Sequence, residues 1–225
     1  MTAITPSNLQ IDVVSDVVCP WCYIGKRQLD RAIAAWRASS PSSPGPTVQW
    51  RPFQLSPEIP VGGVDRKQHM LRKFGDRSLT DIHARLRAIG EPLGISFDFD
   101  AIRIQPNTLK AHALIELASG SHQSLLVEAL FEAFFVDGRN LADDATLRQL
   151  AHAAQVGLSD ALIDTVLEDD TVTRIVAAAD AEIREYGVSG VPLFVISAGP
   201  AERQVISGAQ GSDALLAAMR AVGGG

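Results

Sequence analysis

The sequence predicts an α/β protein in which a small unit of strands and helices is interrupted by a large all-helical insertion. Three observations lead to this prediction. The chain opens with a strand–helix–strand order over residues 9–55, continues with helix-spaced apolar residues from 56 to 182, and closes with a strand hairpin and a helix over 191–222. The opening order is typical of a parallel crossover unit.

The first element is a strand over residues 9–15, where apolar and polar residues alternate before the segment becomes continuously apolar. A helix is expected to follow, because Pro20 suits a first turn, where its missing N–H costs no hydrogen bond. Residues 39–46 are rich in serine and proline and predict a loop. A second strand over 48–55 has Pro52 at its edge or end, since proline cannot donate to a sheet.

Helical spacing dominates the middle of the chain, with apolar residues on shared faces, as at Leu109, Ala113, Leu114 and Leu117. Asn107 is the predicted N-cap of that helix, and Gly187 ends the last helix of the block.

The closing segment holds strands over residues 191–196 and 204–207 and a final helix over 212–222. We therefore predict two domains. Residues 1–55 and 183–225 form the strand-containing domain, and residues 56–182 form the inserted helical domain.

Composition limits the possible partners. The 225 residues carry a net charge of −6 at pH 7, and the basic residues are scattered, so no nucleic-acid partner is predicted. No apolar run is long enough to cross a bilayer, so no membrane association is expected either. Residues 1–9 lack the basic and apolar regions of a signal peptide, which predicts a cytoplasmic location.

The two cysteines of the chain, Cys19 and Cys22, lie in a Cys-Pro-Trp-Cys sequence between a strand and a helix. Two cysteines exclude a structural disulfide framework, and a close pair in a reducing compartment is more often catalytic or metal-binding. Free N–H groups and the helix dipole at a helix start would stabilise a Cys19 thiolate for attack. Cys22, one turn further in, is expected to be buried and to act as the resolving thiol.

A zinc site is one alternative for this cysteine pair. It would need four ligands, yet no two of the five histidines are three to five residues apart, so no metal site is predicted. Two incidental buried cysteines are another alternative, which Pro20 and Trp21 at a helix start disfavour.

A proline before a buried apolar strand is the second chemical signal. Pro192 follows Val191 at the start of the predicted strand over residues 191–196, where it removes a backbone donor. A cis Val191–Pro192 bond in a tight turn accounts for it, whereas a trans proline at a strand start is the alternative. Together with the cysteine motif, we predict the cis form.

Residues 15–25, Ser-Asp-Val-Val-Cys-Pro-Trp-Cys-Tyr-Ile-Gly, resemble the active-site motif of the DsbA-like thioredoxin superfamily. Segments 51–58, 187–196 and 206–210 resemble its FrnE-like branch. The resemblance implies a thioredoxin fold with a large all-helical insertion, and an active site that faces the groove between the two parts.

The resemblance also implies roles for individual residues. Cys19 would be the nucleophile and Cys22 the resolving thiol. A cis Pro192 would lie beside them. From the position of the motif we also expect substrate contacts from Pro20, Val191 and Pro192, and Trp21 would either contact the substrate or only pack under the helix. His112, on a helix that flanks the groove, would either exchange protons there or be a surface or satisfied histidine. Asp16 would either relay a proton to Cys22 or cap a turn.

The predicted function is therefore thiol–disulfide exchange, as an oxidoreductase or isomerase, with protein or small-molecule substrates and an unidentified electron donor or acceptor. The same superfamily contains kappa-class glutathione transferases and 2-hydroxychromene-2-carboxylate isomerases, which bind glutathione and typically carry Ser where Cys19 stands. Two cysteines favour dithiol chemistry here, with no cofactor beyond glutathione as a candidate co-substrate. A glutathione-dependent isomerase or transferase is the alternative enzyme, and a redox-sensitive module that binds a hydrophobic ligand is the non-enzymatic alternative.

Overall fold

A four-stranded mixed sheet organises the first and last parts of the chain. The computed structural model describes residues 9–39, 41, 45–155, 157–199 and 202–223. The sheet has the order β2–β1–β5–β6 and consists of β1 (Gln10–Ser15), β2 (Thr47–Pro52), β5 (Leu193–Ser197) and β6 (Arg203–Ser207). β1 pairs parallel with β2 and antiparallel with β5, and β5 pairs antiparallel with β6.

Helix α1 (Pro20–Ser39) makes the crossover from β1 to β2 and begins at Pro20, as the sequence predicts. Ile11 and Val13 of β1 are buried, because β1 is central in the sheet. Pro52 is the last residue of β2, where its missing donor disturbs no further pairing. The predicted loop over residues 39–46 falls largely outside the described residues, and residues 1–8 lie outside them entirely.

Seven helices lie between β2 and β5 in the described part of the chain: α2 (Arg66–Phe74), α3 (Asp76–Gly90), α4 (Leu109–Leu117), α5 (Ser121–Phe135), α6 (Asp144–Ala153), α7 (Asp160–Glu168) and α8 (Asp170–Glu185). A short 3₁₀ turn covers Glu91–Leu93. A two-stranded ribbon of β3 (Val64–Asp65) and β4 (Ile104–Gln105) interrupts the block, a feature that helical spacing did not predict. Helix α9 (Ser212–Gly223) closes the chain against α1.

The predicted cap at Asn107 is displaced by one residue. Thr108 occupies the N-cap position of α4 and makes no side-chain cap bond, whereas Oδ1 of Asn107 accepts a hydrogen bond from the N–H of Leu109 at 2.9 Å. The Asn107 side chain therefore still satisfies a free donor of the first turn.

The predicted end of the insertion, residue 182, lies inside α8 and not in a loop. This helix is bonded to the segment after β2, because Oδ1 of Asp180 accepts from the N–H of Gln54 at 3.2 Å, and the guanidinium of Arg184 lies 4.1 Å from the ring centre of Phe53. The division into domains stays a prediction. Within the described ranges, no helix is both long and apolar enough to span a membrane.

Candidate active site

The two cysteines lie at the start of α1, directly after β1. Both are free thiols. The N–H of Cys19 donates to the carbonyl oxygen of Asp16 at 3.0 Å, and the Cys19 carbonyl accepts from the N–H groups of Cys22 and Tyr23 at 3.0 and 3.2 Å. The first turn thus places one cysteine at the helix start and the other inside the helix, as the spacing predicts.

Cys22 is buried with 1% of its surface exposed. Burial raises the pKa of its thiol well above the ordinary value of 9.0, and the hydrogen bond and charge of Cys19 raise this pKa further. Hydrogen bonds from the Asp16 backbone and the Ser15 side chain act in the opposite direction. Cys22 therefore holds its proton in the reduced protein.

The Val191–Pro192 peptide bond is cis, as predicted. The Cys19 thiol donates to the carbonyl oxygen of Val191, with 3.7 Å between sulfur and oxygen. Gly25 allows this approach of α1, because a Cβ at that position would lie 3.0 Å from Cγ of Pro192. The close contact of α1 with the start of β5 thus brings together Cys19 and Val191, which are 172 positions apart in the sequence.

A cavity of about 390 Å³, here called the groove, opens beside Cys19 and runs toward α2 and α3. Its lining on the sheet side includes Cys19, Pro20, Trp21, Gly190 and Val191. Four of the predicted site residues therefore share one cavity. Apolar side chains such as Leu86 and Phe99 form much of the opposite wall.

His112 and Asp16 form a pair behind the cysteines. Nε2 of His112 lies 3.4 Å from Oδ1 of Asp16, and Oδ2 of Asp16 accepts from the N–H of Leu55 at 2.8 Å. Both side chains are buried. His112 is not among the described residues that line the groove, so its position corresponds to the satisfied histidine of the two alternatives.

A family model for the DSBA-like thioredoxin domain matches residues 10–220, nearly the whole chain. The chain belongs to the DSBA-like thioredoxin domain family. YwbO of Bacillus subtilis strain 168, an uncharacterized protein, is 28% identical over 215 residues, which cover 92% of this chain and 93% of YwbO.

Two solved structures place the DSBA-like fold of this chain among known proteins. SCO1869 from Streptomyces coelicolor, described as a probable DsbA oxidoreductase, has a TM-score of 0.77 and 26% identity, and the match covers 94% of this chain and 88% of SCO1869. The cytosolic disulfide reductase DsbM from Pseudomonas aeruginosa has a TM-score of 0.59 and 17% identity over 88% of this chain and 89% of DsbM, which shows a shared fold. The FrnE-like placement stays a prediction.

Sequence reasoning missed the basic residues that the DSBA-like fold brings to the groove. Arg66 and Lys73 of α2 and Arg85 of α3 all line it. The sequence of α2 is visibly basic, but helical spacing alone does not show which of its residues face the cysteines.

Proposed function

We propose that the protein catalyses thiol–disulfide exchange through Cys19 and Cys22, with Cys19 as the nucleophile and Cys22 as the resolving thiol. The observation that carries the proposal is the unequal placement of the two thiols. Both thiols are buried, with 4% of Cys19 and 1% of Cys22 exposed, but Cys19 lines the groove, whereas Cys22 does not and has a raised pKa. An incoming disulfide can therefore meet only the first of them.

Two exchange steps complete the reaction. The Cys19 thiolate attacks one sulfur of a substrate disulfide, forming a mixed disulfide and releasing the other substrate sulfur as a thiolate. Cys22 then loses its proton and attacks the Cys19 sulfur, which releases the second substrate thiol and leaves a Cys19–Cys22 disulfide. The substrate gains two electrons and the protein loses two. A small thiol such as glutathione or a dithiol would restore the reduced pair.

Val191 would orient the substrate in the first step. Its backbone lies on the groove wall and its carbonyl oxygen holds the Cys19 thiol. An extended substrate segment could pair with this backbone as an added strand, which would bring its disulfide against Cys19. Pro20 and Trp21 would contact the substrate from the other side of Cys19. A cytoplasmic setting, with its reducing thiol pool, suits this assignment.

The test is turnover with dithiothreitol as reductant and insulin as a protein disulfide substrate, using wild type, Cys19→Ser and Cys22→Ser. We expect Cys19→Ser to abolish turnover. Cys22→Ser should form a stable mixed disulfide with dipyridyl disulfide, visible by mass spectrometry, that Cys19→Ser cannot form through Cys22. Far-UV circular dichroism controls for folding of both variants.

Three results would oppose the proposal. Wild type that reduces neither insulin nor oxidised glutathione faster than dithiothreitol alone would favour a binding module. Full turnover in Cys19→Ser would exclude its nucleophilic role. Turnover of a non-disulfide substrate only with glutathione present would favour the isomerase or transferase alternative.

A further inference from the structure

Every charged side chain among the described residues that line the groove is cationic. Arg66, Lys73 and Arg85 contribute cationic groups, and His69 and His83 contribute imidazoles. Among the residues that the structure describes, none that lines the groove is Asp or Glu. This is the opposite of the whole chain, whose net charge is −6.

Arg66 is the decisive residue, because it is a buried cation. The residue is 5% exposed, and its guanidinium donates to Oε1 of the neutral Gln105 and lies 5.3 Å from the ring centre of Phe134. It makes no ion pair with any carboxylate in the described ranges. Burial lowers its pKa to about 10, so it remains charged near neutral pH. A buried charge is costly unless an opposite charge meets it.

Lys73 and Arg85 extend this cationic surface to the exposed rim. The Arg85 guanidinium lies 5.8 Å from the ring centre of Trp21, next to the cysteines. Among the side chains that the structure describes, which leave out those of residues 76–78, neither has an ion-pair partner. Both are therefore available to a ligand that enters toward Cys19.

The pKa values of the two groove histidines are lowered, first by burial and then by nearby cations. Burial is the first cause that lowers the pKa of His69, and Lys73 and Arg66 lower it further, against a raising effect of Glu58. Burial and then Arg66 and Arg87 lower the pKa of His83, against Asp100. Both imidazoles are therefore mainly neutral at pH 7, and the fixed charge of the groove comes from the arginines and lysine.

We propose that the groove selects small disulfides that carry a carboxylate or similar anionic group on an apolar body, and that Arg66, Lys73 and Arg85 bind that anion. The cavity volume of about 390 Å³ suits a small molecule. Leu86 and Phe99 offer the apolar surface, and Cys19 lies at one end for the exchange step. This inference rests on the proposed function and adds the substrate class.

The experiment compares two aromatic disulfides as probes with reduced wild type. DTNB carries a carboxylate on each ring, and dipyridyl disulfide is neutral. The Cys19 thiolate attacks either one, forms a mixed disulfide and releases the first coloured group, thionitrobenzoate or pyridinethione. Cys22 then resolves the mixed disulfide and releases the second. The first step gives a second-order rate constant. Dividing each constant by the one for free β-mercaptoethanol removes the probe's own reactivity. We expect the normalised DTNB rate to exceed the neutral one by about tenfold or more at low salt, and to fall as salt is added.

Charge variants identify the residues responsible. Lys73→Gln with Arg85→Gln should lower the ratio of DTNB to dipyridyl rates by about tenfold, and Lys73→Arg with Arg85→Lys should restore it. Arg66→Met should lower the ratio too. If Arg66→Met does not fold, the variants of Lys73 and Arg85 still test the proposal. Arg203→Gln with Arg220→Gln is the matched control, because it removes two exposed cations, on β6 and α9, that do not line the groove, and it should leave the ratio unchanged.

The possible outcomes separate the two proposals. Equal normalised rates that ignore salt and the rim variants would overturn anion selection while leaving exchange at Cys19 intact. An equal fall in the ratio for Arg203→Gln with Arg220→Gln would overturn the assigned residues in favour of net charge alone. If Cys19→Ser reacts with both probes at the wild-type rates, exchange at Cys19 is rejected, and the proposed substrate class is rejected too.

Discussion

Nε2 of His112 lies 3.4 Å from Oδ1 of Asp16, and both side chains are buried behind the start of α1. His112→Ala removes this partner and leaves a buried carboxylate oxygen unpaired. The free energy of unfolding should fall by about 1–3 kcal/mol, measured by urea denaturation. The exposed pair of His152 and Asp160, 3.6 Å apart, offers the matched control. His152→Ala should have a much smaller effect, and equal losses would show that the buried pair contributes little.

The raised pKa of Cys22 predicts a pH dependence of stability for the reduced protein. Because the folded-state pKa lies above the ordinary 9.0, the stabilisation is fully present below about pH 9 and is lost as the pH rises toward the folded value. Between about pH 8 and pH 10, the free energy of unfolding should fall by about 1.4 kcal/mol more in wild type than in Cys22→Ser. Urea denaturation under reducing conditions measures both. Tyr23, whose pKa is raised to about 12, contributes equally to the two proteins. Parallel pH profiles would contradict the assignment.

Short-range signals explain what the sequence could predict. Pro20 and Pro52 restrict where α1 begins and β2 ends. The structure confirms Pro20 at the start of α1, and it ends β2 at Pro52, three residues before the predicted end of that strand at residue 55. The cysteine spacing needs only one helical turn to place Cys19 at the groove and Cys22 behind it. The cis bond before Pro192 was predicted from the proline's position before an apolar strand, supported by the cysteine motif.

Features that depend on distant contacts could not be predicted in this way. β3 and β4 have two residues each, too few to show an alternating pattern. The side chain of Arg66 is buried against Gln105 and Phe134, which are 39 and more residues away, so its orientation follows from packing and not from the sequence of α2. The end of α8 at Glu185 needs no such contact, because Gly187 predicts it from the sequence.

Glu128 joins α5 to α1 through a charged cluster. Its carboxylate lies 2.7 Å from Nζ of Lys26 and 2.6 Å from the guanidinium of Arg27, and it accepts from the Tyr23 hydroxyl at 3.0 Å. Lys26 is buried, so Glu128→Gln leaves it with Asp30 alone. The free energy of unfolding should fall by about 1–3 kcal/mol in urea denaturation.

A surface ion pair provides the comparison for Glu128→Gln. Arg148 and Asp164 lie 2.5 Å apart on more exposed helices, and Asp164→Asn should change stability much less. If both variants lose the same stability, burial of Lys26 is not the reason for the effect.

Gly25 sets how closely α1 approaches the start of β5, because an added Cβ would lie 3.0 Å from Cγ of Pro192 and 3.1 Å from Cζ of the buried Phe194. Helix propensity alone would make Gly25→Ala more stable by about 1 kcal/mol. Overpacking against these two rings should outweigh that gain and give a net loss of about 1–2 kcal/mol in urea denaturation. The displacement should also slow the reaction of Cys19 with dipyridyl disulfide. Gly211→Ala, whose Cβ would meet nothing within 4 Å, should leave both measurements unchanged. A stabilised Gly25→Ala with normal reactivity would show that α1 can shift at no cost to the site.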